Sequence, residues 1–150
     1  MEGQAEVAFH FNVADPVHYL CRLLRKASQA GMRSLVCAPA GLARELDQAL
    51  WTFAPDEFIA HARWSDEDRL RARSGVLIAD QAVEWPGAQV LVNALPSPEL
   101  PPGYAAYRKV IEVVGLEAQD REAARRRWKA YTARGHALLR HDVAAPAGAA

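Results

Sequence analysis

The sequence predicts an α/β fold: a single three-layer α/β/α domain around a mainly parallel, twisted sheet, with one part open to antiparallel pairing. Three observations predict it. Short β-branched or apolar runs alternate with stretches whose apolar residues recur at helical spacing. Several of the runs are continuously apolar, as strands buried on both faces are. The 150 residues, 51% hydrophobic and 24% charged, also suffice for one core, since a chain of this size buries roughly 70% of its unfolded surface.

Val7 to Val13 is rich in β-branched and aromatic residues and reads as the first strand. Asp15 and Pro16 then supply an N-cap and a first-turn proline, and Val17, Leu20, Leu24 and Ala27 repeat at helical spacing up to Gly31. Ser34 to Ala38 is a buried strand closed by Pro39, and the helix after it sets Leu42, Leu46, Ala49 and Leu50 on one side. Pro55 to Ser74 has no clean period and reads as a solvated loop, with Phe58 and Ile59 as an apolar pair that a loop does not explain. Val76 to Ala79 and Val90 to Asn93 are further strands, joined by ten residues without a helical period around Trp85-Pro86-Gly87, which leaves an antiparallel pairing open. Pro96, Pro98, Pro101 and Pro102 enforce an extended connection. Val110 to Val114 is the last predicted strand, Ala118 to Leu139 the longest helix, and Ala144 to Ala150 a small-residue tail expected to be disordered. One domain over 1–143 accounts for the chain.

Much chemistry is excluded. No two of the nine glycines stand two residues apart, so Gly-x-Gly-x-x-Gly is absent, and so is Gly-Lys-Ser/Thr. The predicted fold is therefore Rossmann-like without a phosphate-binding loop. No Gly-x-Ser-x-Gly elbow occurs, and the five histidines are scattered, His136 and His141 standing five apart with no third ligand evident. Cys21 and Cys37 stand alone and read as reduced core thiols. No catalytic residue, metal or cofactor is predicted. Glu2 and Glu6 sit where a signal peptide would be basic, and no apolar run approaches the ~20 residues of a membrane span, so the expected location is the cytoplasm.

The 18 acidic residues cancel the 18 basic ones, so any electrostatic specialisation is local. It falls at the end of the chain. From Arg121 to Arg140, seven basic residues face one acid, Glu122. On a helix, Ala124, Trp128, Tyr131, Gly135 and Leu138 form the stripe that docks on the sheet, with Arg121, Arg125 and Lys129 along its edge, four apart. Like charges at that spacing repel by a few tenths of a kcal/mol per pair, so the arrangement suits an external anion better than it suits the helix. With Trp128 between Arg125 and Lys129, the matching ligand is a peptide with an aromatic side chain and a carboxylate. A solvated basic face with Trp128 in the core is the plainer alternative. Direct binding of single-stranded nucleic acid would want an extended groove and several stacking platforms.

Leu46-Asp47-Gln48-Ala49-Leu50-Trp51, followed by Phe58-Ile59-Ala60-His61, resembles a pattern of the chi subunit of bacterial DNA polymerase III holoenzyme. Val90 to Asn93, Arg108 to Val114, and Ala124-Arg125 through Trp128 to Tyr131 and Gly135 follow in that family's order, so the resemblance spans about Val7 to Val143. It implies a non-enzymatic adaptor of the clamp-loader assembly that pairs with the psi subunit and holds the C-terminal tail of single-stranded DNA-binding protein, meeting DNA only indirectly. Arg125, Trp128 and Lys129 match the tail-binding residues, with Trp51 and Val114 lining the same site. Phe58, with Ile59, matches the contact with psi. Ala60 stands where the family usually has proline, and Trp128 where it often has tyrosine. The alternative from another class is a small nucleotide-dependent enzyme on the same architecture.

Overall fold

The computed structural model describes residues 5–53 and 58–144. Seven strands form one sheet: β1 (Glu6–Phe11), β2 (Ser34–Cys37), β3 (His61–Arg63), β4 (Val76–Ala79), β5 (Val90–Asn93), β6 (Lys109–Val113) and β7 (Leu138–Asp142). The helices are α1 (Pro16–Gln29), α2 (Ala40–Leu50), α3 (Asp68–Arg73) and α4 (Ala118–Ala133), with a 3-10 turn at Tyr104–Ala106. The strand order is β3-β4-β2-β5-β6-β1-β7, and every neighbouring pair is parallel.

Both faces are covered, because successive side chains of a strand point opposite ways. Leu20, Cys21 and Leu24 of α1 and Ala43, Leu46 and Leu50 of α2 pack with Val36, Ile78, Val92 and Val113. Ala124 and Tyr131 of α4, with Tyr104 and Tyr107, pack with Phe9, Leu35, Leu77 and Val110. Asp15 caps α1 by accepting the His18 backbone N–H at 3.2 Å, with Pro16 in the first turn. Cys21 and Cys37 are buried free thiols, and burial pushes both up to about 11.

Three expectations are corrected. The region expected to be a loop over Pro55 to Ser74 contains β3 and α3. Only Ala62 of β3 is buried, and α3 buries nothing, so neither element shows an apolar period. No antiparallel pairing occurs among the described residues, because β2 lies between β4 and β5 and the ten-residue connection crosses it. The last helix ends at Ala133 rather than Leu139, and Val110 to Val114 is not the last strand. Gly135, at φ +91°, follows the helix cap Arg134, and the N–H groups of Gly135 and His136 return to the carbonyls of Thr132 and Tyr131. That left-handed turn closes the helix and releases β7 onto β1. Gly135 and Leu138 therefore leave the predicted helical stripe. β7 hides because four of its five residues are exposed on the sheet edge. Of the predicted tail, only Ala144 lies within the described residues.

Candidate functional site

The connections from the adjacent strands β1 and β6 diverge. β1 leads through α1 toward β2 on one face, and β6 leads through α4 to β7 on the other. Such a reversal opens a crevice beyond the carboxyl ends of the strands. Here it is a cleft of about 590 Å³, within the usual range for a ligand site.

Its floor is apolar: Phe9, Phe11, Val114, Ala124 and Trp128. The Trp128 ring stands edge-on to Phe9, centroids 5.0 Å apart, and Phe9 meets Tyr131 at 5.9 Å. Trp128 is half-buried, so it belongs to the core through Phe9 and to the cleft through its remaining surface. Arg121, Arg125 and Lys129 rise from α4 on one side, and Arg140 of β7 stands on the other with its guanidinium 4.9 Å from the Phe11 ring centroid. At one end Arg121 Nη2 donates to Asn12 Oδ1 at 3.0 Å, and Asn12 Nδ2 donates to Asp142 Oδ1 at 3.0 Å. That relay ties α4 to β7 across the end of β1. Asn12 makes it from a left-handed backbone, φ +63°, which asparagine tolerates better than most residues. Arg125 Nη1 donates to Glu122 Oε2 at 3.0 Å on the open helix surface.

Arg127 departs from the basic face drawn from sequence. It is only 2% exposed and binds Glu112, itself 0% exposed, through Nε at 2.9 Å. Its Nη1 donates to the Ser97 carbonyl. Tyr131 Oη donates to Glu112 Oε2 at 2.7 Å and Asn93 Nδ2 to Oε1 at 3.0 Å, so the carboxylate is fully engaged beneath α4. Burial and the adjacent Glu112 charge push the Tyr131 phenol far above its ordinary value.

Arg125, Trp128, Lys129 and Val114 thus share one cleft; Trp51 does not. Its helix α2 starts at the carboxyl edge of the sheet, ends at the amino edge, and covers the opposite face. Trp51 is 61% exposed, with its ring 6.0 Å from Phe58 and 4.7 Å from His61. Phe58 is 74% exposed, whereas Ile59 is 3% exposed and packs in the core shared with α2. Ile59 therefore anchors the segment and leaves Phe58 and Trp51 as a surface aromatic pair. Phe9, Phe11, Asn12 and Arg140 were not singled out from sequence. Arg140 belonged to the basic cluster, but on an extended helix it would have had no defined place at the cleft.

A doubly wound parallel α/β protein with a cation-rimmed aromatic cleft at the reversal of strand order is the class that fold and site define. Residues 5–139 match the family described as DNA polymerase III chi subunit, HolC. A DNA polymerase III subunit chi of Pseudomonas aeruginosa is 32% identical over 137 residues, covering 87% of this chain and 90% of that one. The chain belongs to the DNA polymerase III chi subunit family, and so to the accessory subunits of that replicative polymerase. In fold it is similar to the C-terminal domain of the DEAD-box protein Dbp5, with a TM-score of 0.59 and 16% identity over 91% of this chain and 88% of that one. A second likeness is the S. cerevisiae Dbp5 C-terminal domain bound to a Gle1 variant and IP6, with a TM-score of 0.57 and 15% identity over 95% and 91% of the two chains. At such identities the likeness concerns fold alone. No helix among the described residues is long and apolar enough to cross a membrane.

Proposed function

We propose that this chain is a non-catalytic adaptor of the clamp-loader assembly, joining the psi subunit to the C-terminal tail of single-stranded DNA-binding protein, within the cytoplasmic replisome and without contacting DNA itself. One observation carries the reading: the cleft combines an aromatic floor at Phe9, Phe11 and Trp128 with cations on both walls. An acidic peptide ending in an aromatic residue and a free carboxylate fits both parts. The ring lies against Trp128 and Val114, while Arg125 and Lys129 take carboxylates. Psi meets the separate surface where Phe58 stands exposed beside Trp51.

A nucleotide on this architecture would place phosphate at the first strand-to-helix turn. That helix end already carries the Asp15 carboxylate, bonded to His18 N, and Pro16 contributes no N–H there. The geometry favours the peptide over the nucleotide.

Calorimetric titration with a synthetic acidic peptide ending in Pro-Phe tests the reading. The parallel run uses the same peptide without its terminal Phe. Saturable binding of the first alone supports it, and binding of neither refutes it. A charged hydrogen bond contributes about 1.5 to 3 kcal/mol, so Arg125→Ala and Lys129→Ala should each weaken binding roughly tenfold, with unchanged affinity in both counting against the assignment.

A further inference from the structure

The cations on α4 are one wall of the cleft, and the opposite wall has its own. Arg140 sits on the edge strand β7 in register with Phe9, so its side chain emerges on the sheet face that carries the aromatic floor. From there the guanidinium reaches forward over Phe11, one pleat nearer the carboxyl edge of the sheet. Stacking on a ring fixes the plane of the guanidinium and leaves its N–H fork free to take a carboxylate side-on. The nearby acid of β7, Asp142, accepts at Oδ1 from Asn12 Nδ2 and from the Ala144 N–H.

We infer that Arg140 is a specificity-determining residue of the cleft, binding a side-chain carboxylate upstream of the ligand's terminal residue. The inference rests on the peptide reading proposed above and says how the two walls divide the ligand. The deepest aromatic surface is the Phe9–Trp128 pair, and Arg125 and Lys129 flank Trp128 in sequence. A terminal carboxylate, two bonds from the side chain that fills that surface, falls to the α4 wall. The chain leading away from the ring leaves over Phe11, where Arg140 waits. The two walls therefore read two different carboxylates, and an apolar peptide with only a terminal carboxylate satisfies one of them. Selection for an acidic run before the aromatic terminus follows.

The experiment crosses two peptides with four forms of the full chain, the unmodified protein and three variants. One peptide is acidic and ends in Pro-Phe; the other carries Asn and Gln for each Asp and Glu and keeps its free terminus. Exposed ion pairs change affinity by up to about fivefold, and a guanidinium pre-fixed by stacking belongs at the top of that range. Arg140→Ala should then weaken the acidic peptide about fivefold and leave the amide peptide unchanged. Arg140→Lys should recover part of the loss, keeping the charge without the planar fork. Arg125→Ala should weaken both peptides. Thermal melting of each variant checks that β7 remains in place, as its exposed position leads one to expect. Equal losses for both peptides in Arg140→Ala, or no loss for either, would overturn the assignment of Arg140 while leaving the cleft's function intact. Failure of the unmodified protein to bind either peptide overturns the peptide reading and this inference with it.

Discussion

Replacing Arg127 by alanine separates the buried part of the basic cluster from its exposed part. Arg127 is 2% exposed and neutralises Glu112, which is 0% exposed. Removing it leaves a carboxylate inside the fold with only Tyr131 Oη and Asn93 Nδ2 as partners. Stranding one member of a buried ion pair costs about 3 to 5 kcal/mol. At about 2 to 4 °C per kcal/mol for a domain of this size, the melting temperature should fall by roughly 6 to 20 °C. Urea unfolding followed by circular dichroism measures it, as a lower midpoint with an unchanged slope. Arg126→Ala is the internal control: its Nε lies 3.7 Å from Glu122 at the helix surface, and such pairs contribute about 0 to 1 kcal/mol. Arg127→Met combined with Glu112→Met should recover part of the loss by removing the stranded charge, though Tyr131 and Asn93 then lack their acceptor. A loss below about 1 kcal/mol in Arg127→Ala would refute the reasoning, because it would place Glu112 in contact with water.

His10, bonded through Nδ1 to the Tyr19 hydroxyl and 5.0 Å from the His141 ring, is held down to about 4 by burial and then by His141, Lys109 and Lys26. A base with a lowered folded pKa contributes stability that is complete above about 6.5 and is lost as pH falls toward 4; partial exposure discounts the effect to about 1 to 2 kcal/mol. Chemical denaturation of wild type and His10→Phe at pH 7 and pH 4.5 should show a steeper acid loss in the wild type, and parallel curves would dismiss the idea. Asn12→Ala removes the relay from Arg121 to Asp142 and puts alanine at φ +63°, for a predicted loss of about 1 to 2 kcal/mol; Asn12→Gly, which keeps the backbone, should lose less, and the reverse order in urea would contradict the backbone argument. Asp15→Ala should cost about 1 kcal/mol as a lost helix cap and leave affinity for the acidic peptide unchanged by calorimetry, since Asp15 lies outside the cleft lining; a large change in affinity would mean that the ligand reaches α1.

The elements legible in the sequence were those with two buried faces or a long amphipathic one. β4 is continuously apolar, and β2 and β5 are so apart from Ser34 and Asn93, because every residue in each is buried, and Asp15-Pro16 marks the start of α1 because cap and proline act locally. β3, α3 and β7 are edge or surface elements whose stability comes from neighbours far away in sequence, so their residues carry no period of their own. The site followed the same rule. Arg125, Trp128 and Lys129 share one helix, and their grouping is written in a four-residue spacing. Phe9, Phe11 and Arg140 reach the cleft only through the parallel pairing of β1 with β7, and no local pattern encodes that register. Trp51, assigned to the cleft by family resemblance alone, stands apart from it, because its helix end lies on the other face of the sheet beside Phe58 and His61. Arg127 differs from its neighbours only in pointing inward, which requires knowing that Glu112 and Asn93 of two adjacent strands meet beneath it.

The crevice between β1 and β6 is where folds of this kind gather their ligands, and what it holds depends on which side supplies the donors. Backbone N–H groups at a helix start read phosphate through many short, geometrically rigid bonds, and they need glycine to let the backbone approach. In this chain the first helix start is occupied by Asp15, and the positive charge has moved to side chains on the flank of α4 and on β7. Guanidinium and ammonium groups on long stems span a wider mouth and tolerate ligands of varied backbone path. They also leave the floor free for apolar surface, which is where Phe9, Phe11 and Trp128 lie. An anion held by exposed side chains is more open to salt screening than one held by a helix start. The same crevice is thereby suited to a reversible hold on an acidic peptide end rather than to a tightly cradled nucleotide.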